Sequence, residues 1–358
     1  MSLAGEDETP YISLVIPTMN EEEGIGECID RAKNAFDELG VKGEIIVSDS
    51  SDDRTPEIAR EKGARVVNPD RKGYGYAYRY AFERARGELL AMGDGDTTYD
   101  FEELPKLVSL IEDGADMAMG SRLEGEIKPG SMPRLHKYVG NPLLTKFLNV
   151  FYGAGISDSH SGFRVFTREA YEKMDLETDG MEFASEMVME AGANDLSIAE
   201  TPITYHARVG DATLHSFRDG WRHVKFMLVN APGYLFTVPG LGLGILGLAV
   251  MLASFLNLSP GGQELGSNSM IAGSLLTLLG YQISVLAVFT SFAADPIKEA
   301  SHLTRWVKNW FRLERGILSG LSVLVAGKLY ALYLVYQWYI SGFSNIPSVQ
   351  EGLLASTA

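Results

Sequence analysis

An α/β domain built on a mostly parallel sheet and followed by transmembrane helices is the fold class that three observations predict for this chain. Short β-branched apolar runs alternate with helical stretches through the first two thirds of the sequence. Several of these runs end in turns rich in Asp, Asn and Ser. Three long apolar stretches then fill the last third. Strands alternating with helices imply a parallel sheet covered on both faces, and about 20 apolar residues are what a bilayer-spanning helix needs.

The elements follow in order. Residues 11–17 (YISLVIP) read as a buried strand, and Asn20-Glu21-Glu22-Glu23 opens a helix with acids in its first turn. Residues 43–49 (GEIIVSD) form a second strand, the loop 50–55 supplies caps, and Pro56 starts the next helix. A short strand is expected at 64–68, a helix at 76–86, a strand at 88–92, a helix at 101–114 and a strand at 117–120. Further on, 182–191 reads as a helix, 197–202 leads into an edge strand through Tyr205, and 216–229 reads as an amphipathic helix. That last helix carries Arg218, Arg222, His223 and Lys225 beside Phe217, Trp221, Phe226 and Met227, a mix suited to lying in a membrane interface.

The expected organisation is a tail at 1–10, an α/β domain at 11–215, an interfacial helix at 216–233, a membrane domain at 234–340 and a tail at 341–358. The spans are placed at 234–256, 270–293 and 317–340. The loop 257–269 holds no Lys or Arg, whereas 295–315 holds Lys298, Arg305, Lys308, Arg312 and Arg315. By the positive-inside rule the second loop is cytoplasmic, and with it the α/β domain. The first ten residues lack a positive start and an apolar core, so no cleaved signal peptide is expected. Lys328, inside the third span, should face protein, headgroups or a polar channel.

The charge is unevenly distributed. Residues 233–358 hold 5 acids and 6 bases, which leaves 42 acids and 25 bases for residues 1–232. An acidic domain of this kind argues against nucleic-acid binding. It resembles proteins of salt-saturated cytoplasm and points to a halophilic archaeal source. The single cysteine, Cys28, falls in an expected helix and reads as a buried small hydrophobe.

Chemistry concentrates at strand ends. Residues 89–99 (LLAMGDGDTTY) run from an apolar strand into Asp94-Gly95-Asp96. Residues i and i+2 of an extended chain project to one side, and two hard oxygen donors suit a divalent cation whose remaining positions take phosphate oxygens. Asp49, Asp94 and Asp96 all fall at carboxyl ends of strands, where open α/β sheets bind ligands.

Taken together, Pro17-Thr18-Met19-Asn20-Glu21, Val47-Ser48-Asp49-Ser50-Ser51-Asp52-Asp53 and Asp94-Gly95-Asp96 resemble the metal-dependent glycosyltransferases of family 2, whose GT-A fold is Rossmann-like. Gly120-Ser121-Arg122, Asp158-Ser159-His160-Ser161-Gly162-Phe163-Arg164 and Pro202-Ile203-Thr204-Tyr205-His206-Ala207-Arg208 are similar to segments of the dolichyl-phosphate mannose or glucose synthases. The resemblance covers residues 11–230.

The resemblance implies a membrane-bound inverting hexosyltransferase. Its donor would be GDP-mannose or UDP-glucose, its acceptor dolichyl phosphate, and its product would serve protein glycosylation. Pro17, Asn20, Glu21, Asp49 and Ser51 would hold the nucleoside. Lys72, in Arg71-Lys72-Gly73-Tyr74-Gly75, would face phosphate. Asp94 and Asp96 would bind Mg²⁺ or Mn²⁺. Arg122, Arg208 and Arg134 would lie near phosphates, since guanidinium forks match phosphate oxygens. Asp158 would sit beside the reacting centre as an orienting or metal-side carboxylate, with a loop cap as its plain alternative. Helix capping is the plain alternative for Asn20 and Asp53.

The chain departs from the family pattern twice. Ser48 stands where an Asp is usual, and Ala212-Thr213-Leu214 replaces Ser-Lys-Leu, with His215 or Arg218 as substitutes for the missing lysine. Two other readings remain open: a polysaccharide synthase, although His302-Leu303-Thr304-Arg305-Trp306 lacks the Gln of that motif, and a silent nucleotide-binding membrane scaffold. Self-association is left open.

Overall fold

A computed structural model of the chain describes residues 9–209, 216–230, 233–256, 258, 265–293, 297 and 313–343. The chain divides into two compact units, Met1–Met227 and Leu228–Ala358.

The first unit is built on a seven-stranded sheet of order β3-β2-β1-β4-β6-β5-β7. Its strands are β1 (Ile12–Thr18), β2 (Gly43–Asp49), β3 (Arg65–Val67), β4 (Leu89–Met92), β5 (Met117–Ile127), β6 (Arg164–Thr167) and β7 (Ile198–Tyr205). β1 pairs in parallel with both β2 and β4, in a register that sets Pro17 opposite Ser48 and Thr18 opposite Asp49. Among the described strands β6 alone is reversed, antiparallel to both β4 and β5. A reversed strand begins where its parallel neighbours end, so the segment leading into β6 enters the sheet at the same edge as Asp49 and Asp94.

Helices cover both faces. They are α1 (Ile25–Leu39), α2 (Thr55–Glu61), α3 (Tyr74–Phe82), α4 (Leu104–Glu112), α5 (Asn141–Tyr152), α6 (Arg168–Lys173), α7 (Phe183–Ala193) and α8 (Ser216–Val229). Ile12, Leu14 and Ile16 of β1 are buried in one core with Ile25 and Ile29 of α1 and Leu104 and Leu107 of α4. On the other face, Tyr78 of α3 stacks with Phe82 and with Phe183, and Phe82 meets Phe166 edge-on. Fully burying such a side chain contributes about 1.5–3 kcal/mol. Cys28 is buried as expected, and burial pushes its thiol up to about 12, which leaves it inert.

Several elements differ from the sequence reading. The helix expected at 76–86 is α3, which starts two residues earlier, because the Asp179 carbonyl accepts from the N–H groups of Gly75 and Tyr76. A Cβ on Gly75 would come within 2.2 Å of the Thr178 carbonyl oxygen, so only glycine permits that approach. The strand expected at 117–120 runs on to Ile127 as β5, and shifts register against β7 between Ser121 and Glu126. α5, β6 and α6 were not anticipated at all.

Among the described residues the second unit contains three helices long and apolar enough to cross a membrane: α9 (Val238–Phe255), α10 (Ser267–Ala293) and α11 (Leu313–Ile340). α9 and α10 approach through glycine. A Cβ on Gly280 would lie 2.3 Å from the Gly244 nitrogen, and one on Gly247 would lie 2.5 Å from the Thr277 nitrogen. Close backbone approach of this kind drives helix association where the hydrophobic effect is absent. Gly280→Leu is expected to separate this pair and destabilise the detergent-solubilised protein by about 1–3 kcal/mol. Gly242→Leu, whose Cβ meets nothing within 4 Å, should leave thermal unfolding unchanged.

Candidate active site

The site begins at the carboxyl ends of β1 and β2. The Thr18 hydroxyl donates to Asp49 Oδ1 at 2.8 Å, and the Ser51 hydroxyl donates to the same oxygen at 2.6 Å. Ser51 Oγ in turn accepts from the Asn20 backbone N–H at 2.8 Å, while Asn20 Oδ1 accepts from the Asp52 N–H at 2.9 Å. Asn20 takes a left-handed conformation, φ 63°, which asparagine tolerates better than most side chains. Asp49 is almost fully buried, and among the described residues its Oδ2 has no hydrogen bond. That oxygen is left to accept from a ligand. Asp53 has a structural place, accepting from the N–H of Thr55 at 2.9 Å and of Glu22 at 3.3 Å, and so ties the α2 start to the β1 loop.

Asp94 and Asp96 follow β4. Asp94 Oδ1 accepts from the Tyr74 hydroxyl at 2.9 Å, and Asp96 Oδ1 accepts from the Thr98 N–H at 3.1 Å and the Thr98 hydroxyl at 2.5 Å. Burial, and after it the charge of Asp96, raises the Asp94 carboxyl to about 7. Two carboxylates in a low-dielectric setting lack positive charge. Arg208, beyond the end of β7, supplies part of it: its guanidinium donates to Glu21 Oε1 at 2.5 Å and its Nε lies 3.6 Å from Asp96 Oδ2. Burial nonetheless pushes Glu21 upward, with Arg208 offsetting and Asp96 adding to the shift.

These residues fit a divalent cation. Gly162 leaves room beside Asp94, since a Cβ there would stand 3.2 Å from Oδ2. Among the described residues no group of three or more His, Cys, Asp or Glu side chains forms a complete metal cage. One or two carboxylates, with substrate phosphates and water completing the shell, is the usual arrangement for Mg²⁺.

Arg122, in β5, and Asp158 form a buried pair. Nε donates to Asp158 Oδ2 at 2.7 Å, a terminal nitrogen donates to Oδ1 at 2.9 Å, and the Arg122 backbone N–H also donates to Oδ2 at 3.1 Å. Glu200 of β7 accepts from the backbone N–H groups of Ser157 and Asp158, at 2.6 and 3.2 Å, and so holds the loop in place. Burial opposes ionisation of Asp158, yet Arg122 outweighs it and holds the carboxyl below its ordinary 3.8. The Arg122 guanidinium also lies 5.2 Å from the Tyr205 ring centroid, within cation–π range.

The structure therefore brings together Pro17, Asn20, Glu21, Asp49, Ser51, Asp94, Asp96 and Arg208 at one edge of the sheet, with Arg122 and Asp158 buried at the same edge. Lys72 and Arg134 are exposed and have no ion pair among the described residues. Ala212, Thr213, Leu214 and His215, the loop 295–315 apart from Ile297 and residues 313–315, most of the loop 257–269 and the tails apart from residues 9–10 and 341–343 lie outside the described residues, as does the Arg218 side chain. The sequence reading quoted Thr18 and Tyr74 within their motifs without the bonds they make to Asp49 and Asp94, and it missed Glu200. Tyr74 had a signal, the repeated tyrosines of residues 74–80 entering a helix beside the sheet.

Asp158→Asn should leave a buried guanidinium uncompensated and cost about 3–5 kcal/mol in denaturant unfolding. Because the folded carboxyl titrates lower than the unfolded one, its stabilisation is present in full above 3.8 and is lost as pH falls through the folded value. The difference between wild type and variant is expected to shrink on acidification below that point.

Comparison with known proteins accords with this geometry. The profile of Glycosyl transferase family 2 matches residues 13–175, and that of the Glycosyltransferase family 2 C-terminal transmembrane region matches residues 288–358. The low-salt glycan biosynthesis hexosyltransferase Agl6 of Haloferax volcanii is 56% identical over 357 residues, 99% of this chain and 86% of that protein. The dolichyl-phosphate hexose transferase of the same organism is 34% identical over 58% of this chain and 89% of its own. In fold, glucosyl-3-phosphoglycerate synthase from Mycobacterium tuberculosis, solved with Mn²⁺ and UDP, aligns with a TM-score of 0.50 at 23% identity, over 62% of this chain and 80% of that one. The two profiles cover β1 to β6 of the sheet and the last span, and the first relative spans nearly the whole chain: the protein is a membrane-bound glycosyltransferase of family 2.

Proposed function

We propose that this enzyme transfers a hexose, mannose or glucose, from GDP-mannose or UDP-glucose to dolichyl phosphate at the cytoplasmic face of the membrane, for protein glycosylation. The observation that carries the reading is the joining of the Asp49 network to the Asp94–Asp96 pair along one sheet edge, one side built for a nucleoside and the other for its diphosphate. The names of the Haloferax relatives support the lipid acceptor.

Asp49 Oδ2 would accept from an N–H of the base, a charge-assisted bond that favours uracil or guanine, while Asn20 and Ser51 keep the loop in shape. Asp94 and Asp96 would hold Mg²⁺ or Mn²⁺, which when bound neutralises a leaving diphosphate. An acceptor phosphate monoester has a second pKa of about 6 and is largely ionised at neutral pH, so no general base is required. One phosphate oxygen attacks the anomeric carbon as the bond from that carbon to the diphosphate oxygen breaks; the nucleoside diphosphate departs with the bonding pair and the anomeric configuration inverts. Arg208 would orient the acceptor phosphate through its fork. Asp158 acts by holding Arg122, whose charge contributes to the field around the transferred group. Lys72 and Arg134, both exposed, remain candidates for phosphate contact.

Radiolabelled UDP-glucose and GDP-mannose supplied with dolichyl phosphate to high-salt membranes should yield lipid-extractable label from one donor, dependent on Mg²⁺ or Mn²⁺ and lost on chelation. Nucleotide bound without lipid label would overturn the acceptor. Asp96→Ala should lower transfer by ~10²-fold or more with the fold intact. Arg208→Lys keeps the charge but loses the fork, and should raise KM for the acceptor by about tenfold while nucleotide affinity stays unchanged.

A further inference from the structure

Three carboxylates at the sheet edge share one arrangement. Asp49, Asp94 and Asp96 each have Oδ1 held by a hydroxyl of the chain, while Oδ2 has no hydrogen bond among the described residues. Asp49 and Asp96 take a hydroxyl from close by in sequence, from Ser51 and Thr98, each two positions on. Asp94 takes its hydroxyl from a different element. Tyr74, the first residue of α3, donates to Oδ1 at 2.9 Å, and Tyr78 one turn later approaches the same oxygen at 3.4 Å. The two tyrosine rings brace each other edge-on, with centroids 5.1 Å apart. In this aromatic cluster a phenylalanine would fill the same space, and a hydroxyl set there costs free energy unless it is bonded.

The aim of Tyr74 is set about a hundred residues further along the chain. The Asp179 carbonyl accepts from the N–H groups of Gly75 and Tyr76 at 3.0 and 3.3 Å, and the Asp179 carboxylate pairs with Arg79 at 3.0 Å and Arg71 at 3.4 Å. The loop that carries Asp179 is itself anchored by Glu186 of α7, which is almost fully buried and accepts from the N–H groups of Glu177 and Thr178 at 2.9 and 3.0 Å. The start of α3 sits this close only because residues 73 and 75 lack a Cβ, which would stand 2.5 Å from the Asp179 carbonyl oxygen at 73 and 2.2 Å from that of Thr178 at 75. We propose that Tyr74 is a positioning residue for the cation site: its hydroxyl occupies Oδ1 of Asp94 and leaves Oδ2 to the cation, and residues 177–179 set where that hydroxyl stands. This role rests on the reading of Asp94 and Asp96 as the carboxylates that hold the cation. Hydrogen-bonded outer partners orient a ligating carboxylate, and ligation through one oxygen suits the octahedral shell of a small cation better than the two-oxygen mode common with Ca²⁺.

The test reads Mn²⁺ affinity without turnover, by counting free Mn²⁺ through its EPR signal in titrations of the full chain in detergent. Tyr74→Phe keeps the ring and removes the hydroxyl, and should raise the dissociation constant for Mn²⁺ by about 10–100-fold. Gly75→Ala keeps the carboxylates and the hydroxyl but pushes the helix start away from the Thr178 carbonyl, and should weaken binding in the same direction. Thermal unfolding of each protein with and without Mn²⁺ gives a metal-induced shift within one variant, which should be smaller than that of wild type in both variants even where the metal-free midpoint has moved. A dissociation constant and shift in Tyr74→Phe that match wild type, or show tighter binding, would overturn the role of Tyr74. Wild-type values in Gly75→Ala would overturn that of residues 177–179. Asp96→Ala tests the underlying reading separately: Mn²⁺ binding that survives this change would place the cation elsewhere and overturn both.

Discussion

The buried pair of Arg122 and Asp158 is the contact on which the site's architecture hangs. It joins the end of β5 to the loop that leads into the reversed strand β6, and both carboxylate oxygens are bound by one guanidinium. A charge that far from water is tolerable only with full compensation. Glu200 anchors the same loop from β7, and Thr145 anchors it from α5. Three elements remote in sequence therefore meet on a few polar atoms, which explains how a loop of small residues, Ser157 to Gly162, keeps one shape beside the substrate edge.

Next to that neutral pair lies its electrostatic opposite. Asp94, Asp96 and Glu21 gather beside one guanidinium, that of Arg208, and burial, to which the charge of Asp96 adds, shifts Asp94 and Glu21 upward. Folding alone would not favour such a cluster. In the proposed function a cation and a diphosphate bound together would restore the balance. The tyrosines around it, Tyr74 on Asp94 and Tyr99 accepting from the Gly162 N–H, fix geometry without adding charge.

Membrane attachment draws on a different interaction. α9 and α10 are held by glycine-mediated contact, so that bare backbone replaces the apolar side chains that pack the sheet.

Much of this was legible in the residues. β1, β2 and β4 read directly from β-branched runs ending in turns, because strands buried on both faces must be continuously apolar. Asp94-Gly95-Asp96 was legible because spacing along an extended strand sets direction. α5, β6 and α6 were not, since residues 141–173 mix glycine, serine and aromatics with no clean period, and β6 owes its place to neighbours on either side. Likewise Asp158 read as a carboxylate at the reacting centre, and only the fold revealed that Arg122 takes both its oxygens. The amino-acid sequence by itself determined the strand cores, the spans and the acids at strand ends, all set by local pattern. Which polar groups pair, and which helix face stays bare, was decided by the tertiary structure, because those choices depend on residues far apart in the chain meeting at a distance of about 3 Å.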